Sequence, residues 1–275
     1  MTVEEITNDP RQISGELRLK ILGLYHQANA GHIGCSLSCI DLMIGVLFLN
    51  KDTNDTFILS KGHAAAALYA CLNTLGEITD EELATFYLDG TTLPAHPAPR
   101  QYKGIPFATG SLGHGLPIAT GIAHAAKVSG EDSISFALLS DGETNEGTTW
   151  EAANYAIANQ LDNLIMIIDK NGLQGFGFTD KVLGETAAIE KWNAIGFETV
   201  AVDGHDILEV SRTIKELKSH KNGLPKAIIA DTVKGKGVSY MENKLEWHYL
   251  PMNQDQYAQA ILEVKERYLN EFTNA

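Results

Sequence analysis

A chain of 275 residues, 44% of them apolar, can build one sizeable core, and 35 acidic against 21 basic residues leave it at −14. That excess argues against nucleic acid or an anionic membrane as partner, so any phosphate must be held by local geometry rather than by the overall field. Cys35, Cys39 and Cys71 lack metal-type spacing and read as buried free thiols. An acidic start without a signal peptide, and apolar runs too short to span a bilayer, are expected of a soluble cytoplasmic protein.

Taken in chain order, apolar residues at helical spacing predict helices over 11–29, 38–48, 63–75 and 80–88. The Gly-, Pro- and Thr-rich stretch 89–115 has no period and reads as a loop, and so long a loop inside a compact domain is usually functional. A helix over 115–128 is followed by a strand at 134–140, a helix, and a strand at 164–168. Then come a helix at 185–195, a strand at 199–202, a helix at 207–219, a strand at 227–231, the turn 233–237 and a terminal helix from 253 to about 272. This alternation calls for an α/β fold, a three-layer doubly wound and mostly parallel sheet with helices on both faces. No repeat, low-complexity tract or linker divides it, so residues 1–275 are expected to form one domain.

The chemistry concentrates between residues 138 and 173. One apolar strand ends in Asp141-Gly142 and the next in Asp169-Lys170-Asn171-Gly172, which puts both polar ends at the sheet edge where open α/β folds bind ligands. Asp141 offers a carboxylate and Asn171 an amide oxygen. With a backbone carbonyl nearby, these hard donors suit Mg2+, which keeps positions for phosphate and water, and Ca2+ or Mn2+ would accept the same set. Gly142 lets the backbone approach a diphosphate, and the following helix points its N-terminus there. Alone, an Asp-Gly after a strand is more often a turn.

Several histidines adjoin Gly or Pro in predicted loops: His32, His63, His96, His114 and His205. Neutral imidazoles in such loops can hold hydroxyls and phosphate oxygens and can move protons near pH 7. His26, His124 and His220 have no such setting and are read as structural. Taken singly, Lys61 would be a surface charge, Lys234 part of a solvated turn, and Glu146 a favourable first-turn acid.

Order along the chain changes those readings. The segments ANAGHIGCSLSCIDLM (28–43), ILSKGHAAAALYACL (58–72), LPAHP (93–97), ATGSLGHGLPIATGIA (108–123), SDGETNEG (140–147) and DTVKGKGVSYMENKLEWH (231–248) follow one another as they do in transketolases. Nearly end to end, the chain resembles the N-terminal, diphosphate-binding half of that family. Ser140 stands for the first Gly of the usual Gly-Asp-Gly, His114 where Gln is common, and Cys35 where Ser is common.

The resemblance implies thiamine diphosphate and a divalent ion as cofactors. Asp141, Asn171 and the carbonyl of Leu173 would ligate the ion; Lys61, His63, Gly142, Lys234 and His248 would lie along the diphosphate. The backbone of Gly110, Ser111 and Leu112 would approach the cofactor rings. His32, His96 and His248 would act on the sugar, with His63 beside them, and Glu146 would sit at an interface between chains. The implied reaction moves a two-carbon ketol unit from a ketose phosphate to an aldose phosphate, as in the pentose phosphate pathway. The family's pyrimidine-binding domain, with its activating glutamate, is not found here, so the chain is expected to be inactive alone. A separate chain would supply that domain, in an α2β2 heterotetramer. Rival readings are a transketolase for a branched sugar phosphate, a 1-deoxyxylulose-5-phosphate synthase-like protein, a 2-oxoacid dehydrogenase α chain, and a non-catalytic scaffold. A dinucleotide-binding protein is disfavoured, because no Gly-x-Gly-x-x-Gly follows a first strand.

Overall fold

Residues 3–99 and 102–269 are described by a computed structural model with seven strands and eleven α-helices. The strands are β1 (Thr56–Leu59), β2 (Ser135–Ser140), β3 (Leu164–Lys170), β4 (Leu173–Gln174), β5 (Gly177–Phe178), β6 (Glu198–Asp203) and β7 (Lys226–Asp231). The helices are α1 (Val3–Asn8), α2 (Pro10–Ala28), α3 (Ile33–Leu47), α4 (Ala65–Thr74), α5 (Asp80–Leu83) and α6 (Gly115–Ser129). They continue with α7 (Gly147–Ala158), α8 (Thr179–Val182), α9 (Ile189–Ile195), α10 (Ile207–Ser219) and α11 (Gln254–Tyr268).

Five strands pair in parallel in the order β1-β2-β3-β7-β6, and β4 with β5 forms a separate antiparallel hairpin. Successive side chains of a strand face opposite layers. Thus Phe136, Leu138, Ile165, Ile167 and Ile228 join the core under α2, α3, α4, α10 and α11. Their neighbours Ala137, Leu139, Met166, Ile168 and Ile229 join a second core under α6, α7 and α9, around Trp192. Both faces being apolar is what a covered parallel sheet requires. The expected three-layer α/β architecture is therefore present.

The strand order decides where chemistry can occur. The chain advances from β1 to β3, crosses to the far edge at β6, and returns to place β7 beside β3. The carboxyl ends of β1, β2, β3 and β7 are consequently consecutive neighbours, and the turns that follow them share one edge.

Several boundaries differ from expectation. The strand β1 has no counterpart in the sequence reading, since four residues are too few to show a period. Helix α3 begins at Ile33 rather than 38. Gly31 is there for close approach, because a side chain would strike the backbone of Tyr249, and His32 turns the chain into the helix at φ 72°. Helix α5 stops at Leu83 instead of running to 88: the Thr85 hydroxyl bonds back to the Glu82 carbonyl (2.7 Å) and Tyr87 adopts φ 65°. A turn occupies 185–188, so α9 starts at Ile189. Helix α11 is entered through a capping box of Asn253 and Gln256 and is helical to Tyr268; residues 270–272 of the expected helix lie outside the described residues.

Candidate active site

The turn after β2 carries Asp141, which is 1% exposed. Its Oδ1 accepts from the Gly142 amide (2.8 Å), while Oδ2 accepts from the Gly172 amide (2.8 Å) and the Thr179 hydroxyl (3.0 Å). The turns after β2 and β3 are thereby tied together through one carboxylate. Burial, with the Asp169 carboxylate adding to it, pushes Asp141 up to about 6 against those three donors. Such a group is stabilised by a nearby cation.

Beneath the turn lies a charge pair that sequence reasoning did not find. Asp169, fully buried at the end of β3, pairs with the buried ammonium of Lys61 and accepts from the hydroxyls of Ser38 (2.6 Å) and Thr232. Burial opposes both charges, but their attraction outweighs it, leaving Asp169 below the usual carboxylate range and Lys61 above the usual lysine range. Lys61 also donates to the Cys35 carbonyl (3.0 Å), so it forms the floor and does not line the cleft. Asp169 has one further effect. A carboxylate only accepts, so the Asn171 amide must turn its nitrogen toward Asp169 (Nδ2 to Oδ2, 3.2 Å) and its oxygen away, where that oxygen accepts from the Leu173 amide (3.1 Å).

The turn after β7 delivers Lys234, 1% exposed, whose ammonium donates to the Leu173 carbonyl (3.1 Å) and to His248 Nδ1 (2.7 Å). Since an ammonium can only donate, Nδ1 carries a lone pair and the ring proton sits on Nε2. The His32 amide donates to the His248 carbonyl (3.1 Å), and the His32 ring centroid stands 5.6, 6.4 and 5.2 Å from those of His63, His96 and His248. Burial pushes His32 down to about 4, with the other three histidines adding to it and Cys35 opposing. His63 and His96 are lowered as well, chiefly by burial. At pH 7 these rings are neutral and can donate or accept without carrying charge. NMR titration of the cofactor-free chain is expected to place the His32 midpoint near 4, and a midpoint near 6.5 would contradict it. The sign follows from the lowered value: this stabilisation is complete above about 6.5 and is lost as pH falls through about 4.

The loop 109–113 closes one side. Gly62 is needed for it, because a Cβ there would lie 2.6 Å from the Gly110 nitrogen and 2.7 Å from the Thr109 carbonyl carbon. Gly62→Ala is therefore expected to cost about 1–3 kcal/mol in denaturant unfolding by forcing two backbones apart. Glu143, fully buried, accepts from the Ser60 hydroxyl, the Gly113 amide (2.8 Å) and the Ser140 amide (3.4 Å), which fixes this loop to the turns after β1 and β2. Burial pushes it up to about 7 against those donors.

Together these turns enclose a cleft of about 490 Å³. Of the residues singled out from sequence, it brings together His32, His63, His96, Gly110, Leu112, Asp141, Gly142, Glu146, Asn171, Leu173, Lys234 and His248. Ser111 is exposed at the rim, and Glu146 is exposed beside the cleft at the start of α7. His114 donates from Nδ1 to the Leu112 carbonyl (3.1 Å) and faces a groove between α6 and α7 instead. His26 stacks on Tyr257, and His220 bonds Glu198 (2.6 Å), both away from the cleft. Gln174 and Tyr249 line the cleft without having been foreseen.

The family model described as the transketolase, thiamine diphosphate binding domain matches residues 11–268. The chain belongs to the transketolase family. It is similar to one of the subunits of the apulose-4-phosphate transketolase of Actinobacillus succinogenes, with 40% identity over 91% of this chain and 94% of that one. The subunit of the same name from Phocaeicola vulgatus is 37% identical over 91% and 92% of the two chains. Among solved structures, the transketolase from Campylobacter jejuni superposes with a TM-score of 0.83 at 29% identity, over 94% of this chain and 42% of that one. The chain thus spans about two fifths of the length of that solved transketolase.

The residues present fit the transketolase cofactor. Asp141, Asn171 and Leu173 present three hard oxygens, the set that suits a divalent ion whose remaining positions go to phosphate and water. Among the described residues no group of three or more His, Cys, Asp or Glu could hold a metal ion. The buried Asp141 carboxylate gains from a cation, and Lys234 stands beside the same carbonyl to meet phosphate charge.

Proposed function

We propose that this chain is the diphosphate-holding half of a two-chain transketolase, transferring a two-carbon ketol unit from a ketose phosphate to an aldose phosphate. One observation supports this most: an oxygen set for a divalent ion and a cation for phosphate, from the turns after β2, β3 and β7, line a single cleft together with four histidines. Asp141 and Asn171 would hold the ion, which we take to be Mg2+, and Lys234 with His248 would hold the diphosphate. Bound thiamine diphosphate supplies the electron sink that ketol transfer needs. His32, His63 and His96, kept neutral by burial, would bind the sugar hydroxyls and carry protons to and from the oxygen at the reacting carbon. Both relatives carry names that mark each as one subunit of its enzyme. Those names support a separate chain that supplies the pyrimidine-binding domain, and we place the pair in an α2β2 heterotetramer.

The same names favour a specific sugar. Both relatives, matched over nine tenths of their length, are named for an apulose-4-phosphate transketolase, so apulose 4-phosphate is the second reading for the substrate. Co-expression with a candidate second chain tests both. Copurification and thiamine-diphosphate-dependent ketol transfer are expected, scored with xylulose 5-phosphate plus ribose 5-phosphate and with apulose 4-phosphate. Turnover by the isolated chain, or use of pyruvate plus an aldehyde in place of sugar phosphates, would overturn the proposal.

A further inference from the structure

The turn that carries Lys234 is gripped by a polar cluster from α2, α3 and the turn after β6 that does not line the cleft. Residue His205 follows β6, and its side chain is 11% exposed. Its Nε2 accepts from the Val233 amide (2.9 Å), and its Nδ1 lies 2.8 Å from Asp41 Oδ2. A backbone N–H only donates, so Nε2 holds a lone pair and the proton must be on Nδ1, donated to the carboxylate. Asp41 is itself fixed. Both its oxygens meet the buried Arg18 guanidinium (2.8 and 2.7 Å), and the Ser14 hydroxyl donates to it (2.6 Å). Arg18 then returns to the turn, its Nε donating to the Lys236 carbonyl (3.2 Å).

The turn is therefore held on both sides of Lys234, at Val233 by His205 and at Lys236 by Arg18, while the Gly235 amide donates to the Gly34 carbonyl (3.0 Å). With its neighbours fixed, the Lys234 backbone is held where its ammonium reaches the Leu173 carbonyl and His248. We infer that His205 is a positioning residue: by accepting the Val233 N–H it sets the reach of Lys234 into the cleft, and so tunes the affinity for the cofactor diphosphate. The inference rests on the reading of the cleft as a thiamine-diphosphate site.

Two amides separate this role from simple packing. In His205→Asn the short side chain can still donate to Asp41 but does not reach Val233. In His205→Gln the amide oxygen can take the place of Nε2. Thiamine diphosphate with Mg2+ is titrated by calorimetry into the complex of this chain with its partner, and kcat is measured at saturating cofactor. His205→Asn is expected to weaken cofactor binding by about tenfold, the lower end for loss of a supporting hydrogen bond, with kcat within about threefold of wild type. His205→Gln should recover most of the affinity. An unchanged dissociation constant in His205→Asn, whatever its melting temperature, overturns the inference, as does a Gln variant no tighter than the Asn one. Should His205→Asn not fold, His205→Phe takes its place in the same comparison. Wild-type complex that binds no thiamine diphosphate would instead refute the reading of the cleft.

Discussion

Lys61→Met is expected to destabilise the chain by about 3–5 kcal/mol, the usual cost of removing one partner from a buried ion pair. The reason is what remains: Asp169 would keep its bonds from Ser38, Thr232 and Asn171 but lose the only cation paired with it among the described residues. Against a total stability of about 5–15 kcal/mol for a domain, that loss is large enough to lower the yield of folded protein. The double variant Lys61→Met with Asp169→Leu removes both charges, and its stability should return toward wild type, because an apolar pair pays no desolvation. Its Asn171 amide would no longer be oriented, so cofactor binding should stay impaired even where stability recovers. Urea unfolding of the wild type and both variants with a common slope decides the matter. A single Lys61→Met variant within about 1 kcal/mol of wild type would show that the pair contributes little.

The second large effect concerns binding. Asp141→Asn keeps the size of the side chain but removes the charge that would face the proposed ion. Supporting residues around metal ligands cost about 10–100-fold in affinity, so loss of a direct ligand's charge should weaken thiamine diphosphate and Mg2+ by at least about 100-fold. Stability should fall as well. In the cofactor-free chain, neutralising Asp141 relieves its repulsion with Asp169, but the amide nitrogen of an Asn cannot accept from the Gly142 or Gly172 N–H, so Asp141→Asn is expected to lose about 1–3 kcal/mol. Adding cofactor at about 100 times its dissociation constant should raise wild-type stability by about 2.7 kcal/mol in complex with the partner and leave the variant unmoved. A cofactor-dependent rise in the wild type that the variant lacks distinguishes a ligand from a structural carboxylate. A variant that is still stabilised by cofactor would be the contrary result.

How much of this was legible beforehand depended on distance along the chain. The strand–helix–strand unit around Asp141 and Asn171 was readable because the apolar runs and their polar ends are local. The converging histidines and Lys234 were readable only from the order of short segments. Lys61 shows what such reading misses. Taken singly it read as a surface charge, and the resemblance placed it along the diphosphate, whereas its partner lies 108 residues away, and the pairing exists only after β1, β2 and β3 are aligned. A signal did exist, since an ionisable residue at the end of Ile-Met-Ile-Ile-Asp, in a strand buried on both faces, must find a partner. Glu143 could have been found by the same reasoning, as an acid set one turn behind a buried strand. Helix ends were misplaced where glycine served close approach rather than a turn, as at Gly31, and where a hydroxyl competed for the backbone, as at Thr85.

The central claim is that the oxygens of Asp141 and Asn171 hold the ion that fixes the thiamine diphosphate tail. Anomalous diffraction from Mn2+ in crystals of the two-chain complex grown with thiamine diphosphate addresses it most directly. The expected result is one peak within ligand distance of the Asp141 carboxylate, the Asn171 amide oxygen and the Leu173 carbonyl, shared with the diphosphate. A peak elsewhere in the cleft, or the cofactor seated with those oxygens turned from it, would contradict the claim.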